Sequence, residues 1–126
     1  MKMGFFLAIF LWLIVIFSAT ANLLGWYKSL DGLDWVVHFL SGAWVAGASF
    51  YLHQRQGWKT PSFFHVLFWV LVVALAWEFH EFIGDRFLEK SLFQQSSIDT
   101  VGDLFFGALG GALTFLVRRE YRRRWH

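Results

Sequence analysis

Four long apolar stretches limit the folds open to this chain more than any other feature. They cover roughly residues 4–24, 33–53, 62–84 and 98–117. About 20 helical residues cross a hydrocarbon core of about 30 Å, so each stretch is long enough to span a membrane. The apolar residues form continuous runs, whereas the strands of a membrane barrel alternate. The sequence therefore predicts an all-α, polytopic integral membrane protein, a bundle of four transmembrane helices.

The composition agrees with this class and narrows the chemistry. The chain has 126 residues, of which 57% are hydrophobic, and a soluble domain of this size cannot bury so much apolar surface. It has no cysteine, which excludes disulfides, thiolate metal ligands and a cysteine nucleophile. No linker or repeat divides it, so we expect a single transmembrane domain over residues 1–126.

The distribution of basic residues predicts the orientation. With both termini in the cytoplasm, eight Lys and Arg residues lie inside and three lie outside, which follows the positive-inside rule. Five of the eight are arginines in the tail after the last stretch, residues 118–126. A basic tail directly after a membrane helix is typical of topology control and contact with anionic lipid. We therefore expect membrane lipids as partners and no nucleic acid.

The ends of the stretches leave some alternatives open. The first stretch ends in Ala19-Thr20-Ala21, which fits a signal-peptidase site, but the apolar run is long for a signal and we expect a retained helix. Thr60 followed by Pro61 predicts an N-cap for the third helix.

Gly107-x-x-x-Gly111 is typical of close helix packing. Packing within one chain is the favoured interpretation, and a homodimer or a place in a larger membrane complex is the alternative.

Ionisable residues gather at the same end of three of the predicted helices. Spacings of three, four and seven residues place the members on one face of each helix. A charged side chain in hydrocarbon costs about 2.5–3.5 kcal/mol at a helix centre, so these faces should point at one another. With cytoplasmic termini they lie in the outer half of the bilayer. The residues are Asp34, His38, Glu78, Glu81, Asp85, Asp99 and Asp103.

Local helix physics explains some of these residues but not others. Asp34 and Asp99 begin helices, where the macrodipole stabilises a carboxylate, so each could be an ordinary capping acid. Glu78 and Glu81 lie near a helix C-terminus, where the dipole disfavours negative charge. They therefore need another explanation. His80 projects away from their face, and we expect His53, His65 and His126 to lie at the opposite end.

A divalent metal would relieve the repulsion among the clustered acids. We predict Asp34, His38, Glu78, Glu81, Asp99 and Asp103 as ligands, with Asp85 as a further candidate. Oxygen ligands with one imidazole suit manganese, magnesium, calcium or iron, and zinc stays open.

Several short motifs carry a family resemblance. In chain order they are His38-Phe39-x-x-Gly42, Trp77-Glu78-x-x-Glu81 with Asp85, Asp99-Thr100-x-x-Asp103 and Gly107-x-x-Gly110. This order resembles the YjdF-like family of small bacterial inner-membrane proteins, and more remotely it is similar to VanZ-like proteins. The resemblance implies a multi-pass protein of the bacterial inner (plasma) membrane with a shared polar cluster. It implies no established reaction.

Two functional classes follow from the cluster. The first is a metal-assisted membrane enzyme acting on a lipid headgroup or a lipid-linked envelope precursor, with Glu78 or Glu81 as general base. The second is a non-catalytic accessory or structural protein, a complex subunit or a binder of lipid or antibiotic, whose cluster only locks the helices. An ion or proton pathway is disfavoured, because only Ser41, Ser49 and Thr114 continue the polar residues inward.

Overall fold

The computed structural model describes residues 2–87 and 97–125, and these form helices and no strand. Four of the helices are long and apolar enough to cross a membrane, which confirms the predicted all-α class. A short fifth helix, α2, was not predicted. The elements are α1 (Lys2–Leu23), α2 (Trp26–Ser29), α3 (Leu33–Arg55), α4 (Phe63–Phe87) and α5 (Ser97–Trp125).

Helix α3 is the centre of the arrangement. It packs most extensively against α5 and also contacts α1 and α4, while α4 contacts α5 as well. α1 packs mainly against α3 and α2, and near its N-terminus Sδ of Met3 lies 4.0 Å from a guanidinium nitrogen of Arg118 in α5. The N-terminal ends of α3 and α5 meet the C-terminal parts of α1 and α4, and we call this end of the bundle the polar end.

Two glycines bring α3 and α5 into backbone contact. A Cβ atom on Gly42 would overlap the carbonyl group of Gly107, and one on Gly110 would overlap the carbonyl group of Phe39. Gly111 instead faces α4, since a Cβ atom there would lie 2.7 Å from Cγ2 of Val70. The small residues therefore serve packing within one chain, as in other close membrane helix pairs.

The apolar core lies beside this contact, between α3, α4 and α5. It contains Val45, Ala46, Phe50, Val66 and Val70, with Trp44 and Phe115 packed against it. Trp44 also holds α1, because its Nε1 donates a hydrogen bond of 2.7 Å to the carbonyl oxygen of Leu7.

The turn between α1 and α3 depends on glycine. Gly25 and Gly32 flank α2 with φ values of 70° and 81°. Residues with a Cβ atom rarely adopt this left-handed region, so the two positions favour glycine. They allow α2 to fold back over the polar end.

Helix α4 begins later than the sequence pattern indicated. Its first residue is Phe63, and the cap is Ser62, whose Oγ accepts a hydrogen bond of 3.2 Å from the backbone N–H of His65. The predicted Thr60 cap is therefore wrong. Thr60 instead accepts a hydrogen bond of 2.8 Å from Arg122 of α5. Ser62 satisfies a first-turn N–H group of a helix that begins two residues later than predicted.

Helix α5 continues past the predicted end at residue 117 to Trp125. Hydropathy stops at the arginines, but arginine and glutamate are good helix formers and the segment has no glycine or proline. Glu120 and Arg124 form an i, i+4 ion pair at 2.9 Å. The basic last turn also suits the negative end of the helix dipole.

Substituting alanine at two glycines of α5 tests the close contact. We expect Gly110→Ala to lower the free energy of unfolding by about 1–3 kcal/mol, because backbone atoms of α3 must move. Gly107→Ala is the matched control, since its Cβ atom would lie 3.6 Å from the carbonyl oxygen of His38, an ordinary contact. Denaturation in mixed micelles measures both. Equal losses would contradict the close contact of Gly110 with the backbone of α3.

Candidate functional site

His38 stands at the centre of the polar cluster. Its Nε2 atom lies 3.4 Å from Oδ2 of Asp103, 3.5 Å from Oδ1 of Asp34 and 3.8 Å from Oε1 of Glu78. These carboxylates come from three helices, α5, α3 and α4. The sequence prediction that the acidic faces converge is therefore matched by the structure for these residues.

The cluster is buried although it consists of ionisable groups. His38, Glu78, Glu81 and Asp103 are between 2% and 7% exposed. Within residues 2–87 and 97–125, Nε2 of His38 and Oδ1 of Asp103 are buried atoms with no hydrogen-bond partner. A buried polar atom left in this way costs about 1–3 kcal/mol, so both atoms need a partner of another kind.

Two groups of side chains are close enough to hold a metal ion. One comprises Asp34, His38 and Asp103, and the other comprises Glu78, Glu81 and Asp103. In each group one ligand atom per residue lies within 4.8 Å of the others. Ligands of a single ion are about 2.0–2.6 Å from it, so their mutual distances stay below about 5 Å. Asp103 belongs to both groups and joins them into one site.

The remaining predicted ligands are placed differently. Asp34 is at the rim, with its side chain 34% exposed. Asp99 belongs to neither close group, although it lines the adjoining cavity. It lies one turn before Asp103 and nearer the helix end, so the capping explanation fits it better. Asp85 lies in α4, and its side chain is outside the described part of the structure.

Trp77 is a site residue that the sequence reasoning missed. Its Nε1 donates a hydrogen bond of 2.8 Å to Oε1 of Glu81. The i, i+4 spacing was the available signal, but a tryptophan in an apolar run is ordinarily interpreted as lipid-facing. This bond fixes the orientation of a buried carboxylate.

Tyr27 is a second missed residue. Its hydroxyl group forms a hydrogen bond of 2.8 Å with Oγ of Ser18, which connects α2 to α1 above the cluster. Burial raises the pKa of Tyr27, and the nearby carboxylate of Asp34 raises it further. The side chain therefore stays a neutral phenol at neutral pH.

The other histidines do not join the cluster. His80 is exposed, with its ring 5.2 Å from that of Trp77. His53 and His65 lie at the opposite end of the bundle, where their Nε2 atoms are 3.2 Å apart. This agrees with the predicted positions. His126 lies outside the described residues.

A cavity of about 770 Å³ adjoins the cluster. Its walls come from α1, α2, α3 and α4, with contributions from α5. Ser18, Asn22, Tyr27, Asp34, His38 and Glu81 line it at the polar end. Its size is within the range of ligand pockets, which measure about 300–1,000 Å³.

Residues 1–124 match the model of the family described as "Predicted membrane protein (DUF2238)". The chain belongs to this family. No curated protein and no solved structure matches it. A YjdF-like resemblance is compatible with the DUF2238 family, and the remoter VanZ-like similarity stays a prediction. The family description names a membrane protein and no activity.

Trp77→Phe tests the support of Glu81 in this DUF2238 protein. The change keeps an aromatic ring and removes the N–H group of the side chain, so the buried Glu81 carboxylate loses the hydrogen bond from Trp77. We expect the free energy of unfolding to fall by about 1–3 kcal/mol. Trp69→Phe on the same helix is the control, because Trp69 is exposed and its indole makes no hydrogen bond to a described residue. Equal effects of the two changes, measured in mixed micelles, would show that the bond is unimportant.

Proposed function

We propose that this protein is a membrane-embedded, metal-dependent enzyme that acts on a lipid headgroup or a lipid-linked envelope precursor. The observation that carries the proposal is the pair of ligand groups that share Asp103. Asp34 and His38 supply one side of the site, and Glu78 and Glu81 supply the other. These residues would hold one ion or a pair of ions.

The electrostatics of the cluster favour the binding of a cation. The two groups hold four carboxylates and one imidazole, drawn from three helices, and all of them except Asp34 are buried in the bundle. Like charges at these distances cannot all ionise without compensation. A divalent cation would offset this repulsion.

The distances argue against a cluster that only locks helices together. The contacts of Nε2 of His38, 3.4–3.8 Å, exceed the 2.7–3.2 Å of good hydrogen bonds. One nitrogen atom can donate to only one of the three carboxylates. Interhelical hydrogen bonds in membranes contribute only about 0.6 kcal/mol on average. Such hydrogen bonds offset little of the free-energy cost of burying the carboxylates.

The ligand atoms limit the metal. Oxygen donors with a single imidazole suit manganese, magnesium, calcium or iron, and zinc also accepts histidine with carboxylates. The absence of cysteine leaves no thiolate ligand.

The chemistry we propose is metal-assisted hydrolysis, in which water would attack a phosphoryl or carbonyl group of the substrate, the ester bond would break and the leaving alcohol would take up a proton. A bound ion would lower the pKa of a coordinated water and polarise the phosphoryl or carbonyl oxygen. Glu78 or Glu81 is the candidate general base that accepts the proton of the water. The hydrogen bond from Trp77 holds Glu81 in a fixed orientation for either role.

The orientation and location belong to the same proposal. We propose a bacterial inner membrane, cytoplasmic termini and a site in the outer half of the bilayer. The support is the basic C-terminal turn of α5, which contains Arg122, Arg123 and Arg124 and lies at the end of the bundle remote from the cluster. Positive charge of this kind favours the cytoplasmic side and anionic lipid.

Metal content is the first test. We expect elemental analysis of detergent-purified protein to find at least one divalent ion per chain. Asp103→Asn removes the shared ligand and Glu81→Gln removes one member of the second group, so both should lose most of the ion. Glu120→Gln is the control, because that exposed acid lies on α5 away from the cluster.

The opposite result would support the second function. Wild-type protein without metal, after purification in metal-containing buffer, would overturn the enzyme proposal. The non-catalytic interpretation would then stand, with the protein as an accessory subunit or a binder of lipid or antibiotic. Co-purification of other chains in mild detergent would identify a complex.

Chelation gives an independent prediction. An ion that binds only the folded protein stabilises it by about 2.7 kcal/mol when its concentration is 100 times the Kd. We therefore expect a chelator to lower the melting temperature of the wild type and of Glu120→Gln. Asp103→Asn should show little response. A chelator effect of the same size in Asp103→Asn would mean that the ion binds elsewhere.

A further inference from the structure

We infer that the cavity beside the cluster holds one acyl chain of a membrane phospholipid, which enters sideways between α1 and α4. This inference rests on the proposed function, because it places the lipid headgroup at the proposed ion site. It adds the class of substrate and the route by which the substrate arrives.

The gap between α1 and α4 provides the route. No Cα atom of α1 lies within 8 Å of one of α4, although both helices line the cavity. Val15 of α1 and Val73 of α4 are lining residues that remain 46% and 44% exposed. The two helices therefore leave the cavity open on the side that faces the hydrocarbon in a membrane-spanning bundle.

The walls change from polar to apolar with depth. The polar end of the cavity has the hydroxyl, amide, imidazole and carboxyl groups described above. Farther along the same helices the lining is mainly apolar: Leu11, Ile14 and Val15 from α1, Trp44 and Val45 from α3, and Val70 and Val73 from α4. This order matches a molecule with a polar head and a hydrocarbon tail.

The length of the cavity matches one leaflet. Asn22 and Leu11 on α1, Asp34 and Val45 on α3, and Glu81 and Val70 on α4 bound the lining of each helix. Each pair is 11 residues apart, which at a rise of 1.5 Å per residue is about 16 Å. Half of a hydrocarbon core is about 15 Å. An acyl chain anchored by its headgroup at the cluster therefore fits the cavity along its whole length.

Val73→Trp and Val72→Trp form the matched pair for a test. The two valines are adjacent, of similar exposure and in the same helix, but only Val73 lines the cavity. The probe is a phospholipid with a photoreactive diazirine on its acyl chain, in vesicles of phosphatidylethanolamine and phosphatidylglycerol. Mass spectrometry then measures labelling at Val45, which is 8% exposed and lines the cavity, so that bulk lipid does not reach it.

We expect Val73→Trp to reduce labelling at Val45 by about tenfold, the change that follows when about two methylene groups lose their contacts. Val72→Trp should leave the labelling unchanged. If Val73→Trp fails to fold, Val15→Trp replaces it, with the adjacent non-lining Ile16→Trp as control. Absence of labelling at Val45 in the wild type, or equal labelling in the matched variants, would overturn the inference.

Metal analysis of the same samples separates this inference from the proposed function. Labelling of Val45 that depends on Val73 in protein without metal would support the lipid cavity and overturn the metal-dependent enzyme. Metal in the wild type with labelling insensitive to Val73 would overturn the lipid cavity and leave the metal site standing.

Discussion

The close contact between α3 and α5 is the constraint on which the rest of the structure depends. Gly42 approaches the carbonyl group of Gly107, and one helical turn nearer the polar end His38 faces Asp103 across the same interface. His38 precedes Gly42 by four residues in α3, and Asp103 precedes Gly107 by four residues in α5. The backbone contact and the polar contact therefore lie on matching faces of the two helices. A larger residue at Gly42 would separate the helices and move the imidazole away from the carboxylate. Small residues therefore set the geometry of the cluster as well as the packing.

The sequence could predict the existence and position of the cluster because both follow from strong physical rules. Hydropathy defines membrane spans, and spacings of three or four residues place Glu78 with Glu81 and Asp34 with His38 on single faces. Because a charged side chain in hydrocarbon is unfavourable in free energy, those faces should meet one another. What the sequence could not resolve is which acids come within reach of one ion. That choice depends on the depth of each helix, and it separates Asp103 from Asp99 although both lie on one face of α5.

The other differences arise where local and tertiary interactions compete. Ser62 and Thr60 are both good caps, and a contact from Arg122, which is distant in sequence, holds the threonine in another role. Trp77 looks like a lipid-facing aromatic, but its N–H group turns toward Glu81 because a buried carboxylate needs a donor. Hydropathy alone predicts that α5 ends where the arginines begin. A helix can continue through them, because its propagation requires only backbone hydrogen bonds and suitable residue propensity. In each case the tertiary partner decides the role of the residue.

Helix α1 has the highest mean hydropathy of the four spans and the least burial. Packing within the chain covers little of this helix, which lies mainly against α3 and α2 and contacts α5 through Met3 and Arg118. Its position is explained if it forms one wall of a cavity while lipid covers its outer face. The hydrogen bonds from Trp44 to Leu7 and between Ser18 and Tyr27 hold α1 against α3 and α2, and neither ties it to α4. A wall fixed on one side and open on the other would admit a lipid chain without unfolding the site, as the proposed function requires.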